Sequence, residues 1–132
     1  MLRFLLDTHV FVRWVFEPRL SREQHRVLRD IENRFEDVGL ATMSLLEMAL
    51  LSGGPRPRLE AKLEDILEAL RLNPTVQLLP ITMEVAQEVA AVGDFLKDPM
   101  DRAIVATARV HRLTLLTSDQ RIIESRLVPV ID

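Results

Sequence analysis

The sequence predicts an α/β fold: a three-layer α/β/α sandwich around a central parallel sheet of about five strands. Three observations carry this. Short apolar runs alternate with capped or amphipathic helical segments along the whole chain. Those runs are apolar throughout, with little period-two pattern, as expected of strands covered on both faces. The 132 residues, 48% apolar and 28% charged, suit one such domain over residues 1–132.

The elements follow in order. Residues 2–6 (Leu-Arg-Phe-Leu-Leu) read as a buried strand that stops at Asp7. Val10, Phe11, Trp14 and Val15 share one face of a helix over 8–16, which Pro18 breaks. Ser21 and Gln24 have capping-box spacing and start a helix over about 21–34. Residues 38–41 predict a second strand, and Ser44 opens an apolar helix to about Leu51. Ser52-Gly-Gly-Pro-Arg-Pro-Arg58 is a linker, because glycine and proline both oppose regular structure. A helix over 59–72 ends at Asn73-Pro74 and precedes a third strand, Val76–Leu79. Thr82 caps a helix over about 83–93, and a second capped helix covers 99–111. Thr114–Leu116 is the fourth strand, a short helix runs from Asp119 to about Arg126, and Val128–Ile131 is the last strand.

Composition narrows the function classes. The chain has no cysteine, which excludes disulfides and thiolate metal sites. No run of 18 apolar residues predicts a membrane span, and Asp7 interrupts the N-terminus before a signal-peptide core could form. The expected location is the cytoplasm. A net charge of −3 argues against nucleic acid held by bulk electrostatics. Of 17 basic residues, only Lys62 and Lys97 are lysine. The arginines suit bidentate contact with phosphate or carboxylate. Five Phe, one Trp and no Tyr leave little for a base-stacking platform, so any nucleic acid is expected to bind through arginines and metal.

The acids carry the chemistry. Asp7 follows strand one, Glu47 lies one turn into the helix after strand two, Asp98 and Asp101 flank a helix start, and Asp119 follows strand four. In parallel α/β sheets ligands bind beyond the carboxyl ends of the strands, which turns these acids into a candidate site. Clustered carboxylates repel unless a cation lies between them, and a hard ion, Mg²⁺ or Mn²⁺, suits all-oxygen donors. Each acid also has a plain structural reading. Glu47 completes a capping box with Ser44, Asp98-Pro-Met-Asp101 is an ideal helix start, and Asp119 complements a helix dipole. Asp7 has no such local explanation, since it ends a buried run with no cation nearby in sequence.

Five segments in order resemble the PIN-domain proteins, above all the VapC-type toxins of bacterial toxin–antitoxin pairs. They are Phe4-Leu-Leu-Asp-Thr-His-Val10, Ser44-Leu-Leu-Glu-Met-Ala49, Asp98-Pro-Met-Asp-Arg-Ala-Ile-Val-Ala-Thr-Ala108, Leu115-Leu-Thr-Ser-Asp119 and Val128-Pro-Val-Ile131. The resemblance implies a Mg²⁺- or Mn²⁺-dependent endoribonuclease with an RNA substrate, a homodimeric state, and a cognate antitoxin that blocks the acidic pocket. It carries core metal-binding and catalytic acids onto Asp7, Glu47 and Asp101 and a more variable one onto Asp119, with Asp98 part of the signature. Thr8, Thr117 and Ser118 match small polar positions lining such sites, and Arg102 either orients Asp98 or touches RNA. Phe95-Leu-Lys97 departs from the polar or histidine residues many relatives carry there, and the Gly-Gly-Pro-Arg-Pro linker has no close counterpart.

Two rival readings share some of these features. An aspartyl-phosphate phosphatase also puts a carboxylate after strand one, but it wants a second aspartate two residues on, where this chain has His9. A non-catalytic PIN-like module, binding RNA or protein, has no use for a set of clustered acids. Arg22, Arg26 and Arg29 share one helix face, either as a phosphate-contacting stripe or as a solvated face with Arg26–Asp30 pairing. His9, His25 and His111 lack metal-ligand spacing. Met43, Met48, Leu50, Leu51, Phe11 and Trp14 serve either as core or as a groove for an antitoxin helix.

Overall fold

The computed structural model describes residues 2–17, 19–59 and 61–132. Among these, five strands form one all-parallel sheet in the order β3-β2-β1-β4-β5. They are β1 (Phe4–Leu6), β2 (Val38–Ala41), β3 (Val76–Leu79), β4 (Thr114–Leu116) and β5 (Val130–Ile131). The helices are α1 (Thr8–Phe16), α2 (Arg22–Asn33), α3 (Thr42–Ser52), α4 (Leu63–Arg71), α5 (Met83–Val92), α6 (Pro99–His111) and α7 (Gln120–Ser125).

Successive strand residues point to opposite faces, and here both faces are covered. Leu6 and Leu116 pack with Phe11, Leu28 and Met48 from α1, α2 and α3. Their neighbours Leu5 and Leu115 pack with Ile104, Val105 and Ile122 from α6 and α7. All four leucines are fully buried, which is why the strands show no alternation in sequence.

The order of the strands places the site. The chain steps outward from β1 to β2 to β3, then returns to lay β4 on the other side of β1. Connections therefore leave in opposite directions from β1 and β4, opening a crevice at their carboxyl ends. Asp7 and Thr117 lie at those two ends, tied by Asp7 N–H donating to the Leu116 carbonyl at 3.0 Å.

Several boundaries differ from expectation. β1 starts at Phe4 rather than residue 2. β5 covers only Val130–Ile131, because Pro129 has no N–H and contributes just its carbonyl, which accepts from Leu115 at 2.9 Å. α3 starts at Thr42, straight off β2, with Ala41 in the cap position and no side-chain cap. α4 starts at Leu63, not 59. The Arg58 N–H turns back to the Leu51 carbonyl at 2.7 Å and Leu59 anchors in the core, so the chain is held against α3 before the helix can begin. α5 ends at Val92 and a 3₁₀ turn, Gly93–Phe95, follows, with Gly93 at φ 55°. The expected break at Pro18 lies outside the described residues. No helix among those described is long and apolar enough to cross a membrane.

One buried polar side chain locks α2 to the sheet. Gln24 closes the expected capping box with Ser21, and its Nε2 donates to the Ile131 carbonyl at 3.1 Å and to Ser118 Oγ at 3.2 Å. Gln24→Ala removes both of these bonds, leaving the Ile131 carbonyl with the Thr117 N–H alone. It is expected to lower the unfolding free energy by about 1–3 kcal/mol in urea titration.

Candidate acidic site at the carboxyl edge of the sheet

Asp7 is both the last residue of the buried run and the N-cap of α1. Its Oδ1 accepts the Thr8 N–H at 2.8 Å and its Oδ2 accepts the Thr117 hydroxyl at 2.7 Å. The same Thr117 oxygen accepts the Asp119 N–H at 3.1 Å, so one buried threonine couples two acids from adjacent strand ends. Burial pushes the Asp7 carboxyl up, against the bonds from Thr117 and Thr8 and the nearby His9, while Asp119 adds repulsion.

Glu47 reaches the same edge from α3. Because α3 begins at Thr42, Ser44 sits inside the helix, where its Oγ accepts the buried Thr8 hydroxyl at 2.9 Å. The capping-box explanation of Glu47 therefore fails, and its carboxylate is not spent on a helix end. Burial raises its pKa; the Thr8 hydroxyl and His9 oppose that, and Asp7 and Asp98 reinforce it.

For Asp98 the structural reading holds. It caps α6, with Oδ1 accepting from Met100 N–H at 2.8 Å and Asp101 N–H at 3.4 Å, and Pro99 is the first helical residue. Asp101 is 6% exposed. Its carboxyl is pushed up to about 7 by burial first, then by the negative charges of Asp98 and Asp119, with Arg121 pulling it back. Asp119 caps α7. Burial works to raise its pKa, but bonds from the Arg121 side chain and backbone outweigh this, and the net shift is downward.

Asp7 thus feels the charge of Asp119, Glu47 that of Asp7 and Asp98, and Asp101 that of Asp98, Asp119 and Asp7. Ser118 and Asp119 share a cleft of about 180 Å³ with Asp7, His9 and Arg13. Asp98 and Asp101 line a second, of about 280 Å³, with Phe95, Lys97 and Arg121. Larger hollows lie elsewhere, such as one of about 490 Å³ lined by Arg112, Leu113 and Val128, but no group of acids meets there. Among the described residues no three histidines or acids form a ready metal cage.

Arg102 turns away from Asp98. Its Nε donates to the Leu96 carbonyl and its guanidinium lies 3.9 Å from Asp94. The arginine face of α2 also pairs differently than expected: Arg26 joins Glu23 at 2.8 Å, while Asp30 joins Arg34 at 3.2 Å.

The spacing of the acids does not point to Arg121. Its guanidinium bonds Asp119 at 3.1 Å and stands 3.6 Å from Asp101. A signal did exist, since a cation in the first turn of α7 opposes the helix dipole and calls for a counter-charge.

An α/β/α domain with acids gathered at the switch point of a parallel sheet is the class that fold and site define. The PIN domain family model matches residues 4–126, and the chain belongs to the PIN-domain family. It is 33% identical over 124 residues to Ribonuclease VapC22 of Mycobacterium tuberculosis, covering 92% of this chain and 91% of that protein. Among solved structures it is similar to FitAcB from Neisseria gonorrhoeae, at 26% identity and a TM-score of 0.68 over 98% of this chain and 96% of that one. It shares its fold with VapBC2 from Rickettsia felis, solved bound to a DNA fragment from its promoter, at 12% identity and a TM-score of 0.73 over 99% of this chain and 98% of that one.

The raised Asp101 pKa has a stability consequence with a definite sign. Between the ordinary value of 3.8 and about 7 the folded state keeps a proton that the unfolded state releases, so stability falls as pH rises through that window. Asp101→Asn is expected to flatten this fall and to exceed wild type at pH 8 by about 1–2 kcal/mol in chelator-treated protein. Carboxyl NMR titration of Arg121→Gln should show the Asp101 midpoint moving higher still, because the opposing cation is gone.

Proposed function

We propose that this chain is a divalent-metal-dependent endoribonuclease and the toxin of a toxin–antitoxin pair. The gathering of Asp7, Glu47, Asp101 and Asp119 at one sheet edge is the observation that carries this reading. Its 33% identity to a protein named ribonuclease supports it.

The donor set suits a hard cation. All of it is oxygen, and three of the carboxyls are pushed up by burial and mutual repulsion that a doubly charged ion would relieve. Mg²⁺ takes one or two carboxylates directly and keeps several waters, so it needs no ready three-ligand cage. We assign its binding, or that of Mn²⁺, to Asp7, Glu47, Asp101 and Asp119, with Asp98 fixing the start of the helix that carries Asp101. When bound, the ion lowers the pKa of water and neutralises charge on the phosphoryl oxygens. Thr8 and Thr117 hold the Asp7 carboxylate in one orientation, and Ser44 anchors Thr8 in turn. Water attack on phosphorus breaks the bond to the 3′ oxygen and leaves a 5′-phosphate and a 3′-hydroxyl.

The partners proposed are an RNA substrate, a second copy of the chain and a cognate antitoxin, in the cytoplasm. Of the residues set aside for an antitoxin groove, Phe11 and Met48 are fully buried core. Leu50 is 63% exposed and its neighbour Leu46 49%, leaving an apolar strip on α3 for a partner helix. The alternative, a non-catalytic RNA- or protein-binding module, draws on the Arg121 bonds that occupy both oxygens of Asp119.

Asp7→Asn is expected to keep the fold and to cut RNA cleavage at least about a thousandfold, a loss of ~4 kcal/mol of transition-state stabilisation. Sequencing of RNA ends after brief expression, wild type against variant, should show 5′-phosphate ends that depend on Asp7. Ends carrying 2′,3′-cyclic phosphate would overturn the route, and chelator-insensitive cleavage would overturn the metal.

A further inference from the structure

We infer that Phe95, on the turn between α5 and α6, is the stacking platform for an unpaired nucleobase of the RNA, next to the acids that receive its phosphodiester. The inference rests on the ribonuclease reading and adds a base-binding subsite to it.

The composition argued against a stacking surface, since aromatics are few, but one aromatic in the right place is enough. Phe95 is 75% exposed and shares its cleft with Asp98, Asp101, Lys97 and Arg121. An exposed phenylalanine alone means little. Phe35 is 88% exposed, yet it lies at the far end of α2 in a different hollow, with Glu36 and Asp37. Position separates the two.

The turn is also built to hold the ring out. Gly93 adopts φ 55°, which reverses the chain after α5. Leu96, the next residue after Phe95, is 3% exposed and anchors the turn in the core. From α6, Arg102 grips the same segment through the Leu96 carbonyl and the Asp94 carboxylate. This gives Arg102 a task that neither orienting Asp98 nor touching RNA describes: it holds the backbone just after Phe95 through the Leu96 carbonyl. A turn held in place presents the ring at the cleft without further ordering of the backbone when a base stacks on it.

The cleft carries Asp94, Asp98 and Asp101 against Lys97 and Arg121, so what it offers a phosphate is a single cation beside the ring. Lys97 has no ion-pair partner among the described residues, and it stands beside the ring on the cleft wall. A base on Phe95 brings its own phosphate to that cation and the next linkage toward Asp98 and Asp101. Stacking tolerates any base, so Phe95 selects unpaired over paired RNA rather than a sequence.

The test uses the full chain carrying Asp7→Asn, so that RNA is bound without being consumed, and a 12-nucleotide unpaired RNA with its duplex as control. Adding Phe95→Ala should weaken binding of the single strand about five- to a hundredfold and leave the duplex unchanged. Phe95→Tyr should restore it. The slope of affinity against salt should not change with Phe95→Ala, because no charge is removed, whereas Lys97→Ala should lower it by about 0.7. Phe95→Trp should lose fluorescence on adding the single strand, while the parent, with Trp14 alone, should not. Unchanged affinity in Phe95→Ala, or no quenching in Phe95→Trp, overturns the subsite and leaves that face to a protein partner. Wild-type protein that cleaves RNA alongside such a result would keep the ribonuclease reading intact. A parent that binds no RNA, with a wild type that cuts none, sinks both.

Discussion

The hydrogen bond from Thr117 to Asp7 joins the two strand ends on which the site depends. It can form because β1 and β4 are neighbours, paired in register from Phe4–Thr114 to Leu6–Leu116. Around it, backbone and side chain act together: the Asp7 amide is held by Leu116, its carboxylate by Thr8 and Thr117, and Thr117 passes the constraint on to Asp119. A carboxylate buried to this degree needs such partners to stay in place. The partners leave it fixed in direction but still raised in proton affinity by its surroundings.

That constraint makes the edge of the sheet a region of stored repulsion. Asp101 feels Asp98, Asp119 and Asp7 together, and the opposing charge beside it, Arg121, is itself mostly exposed. An exposed guanidinium is a weak and screened counter-charge, so it moderates the repulsion without cancelling it. Stability is given up locally at a place where the fold is otherwise well satisfied: among the described residues no buried side-chain polar atom lacks a hydrogen-bond partner. Sites that sacrifice local stability in an otherwise consistent structure are where function is expected.

Much of the architecture could be read in the residues. The three-residue strand at 114–116 and the helices at 8–16 and 99–111 stand where the apolar runs, caps and Pro99 indicated, because those signals are local. The misplaced boundaries share a cause. α3 starts at Thr42 without a side-chain cap, directly off β2, and the start of α4 is delayed by the Arg58 bond back to Leu51 of α3. Neither cause leaves a mark within a window of a few residues. The same gap affected Glu47, whose apparent capping partner Ser44 was committed to Thr8, 36 residues away.

The sequence by itself determined the layered α/β plan, the rough positions of strands and helices, and a set of acids near strand ends. Those follow from hydrophobic period, proline and capping chemistry, all of which act over short stretches of chain. Tertiary structure alone decided which acids face one another, that Arg121 closes on Asp119 and Asp101, and that Arg102 serves the 93–96 turn rather than Asp98. Charge interactions fall with distance in space, and distance in space is set by the crossovers of the sheet, not by spacing along the chain.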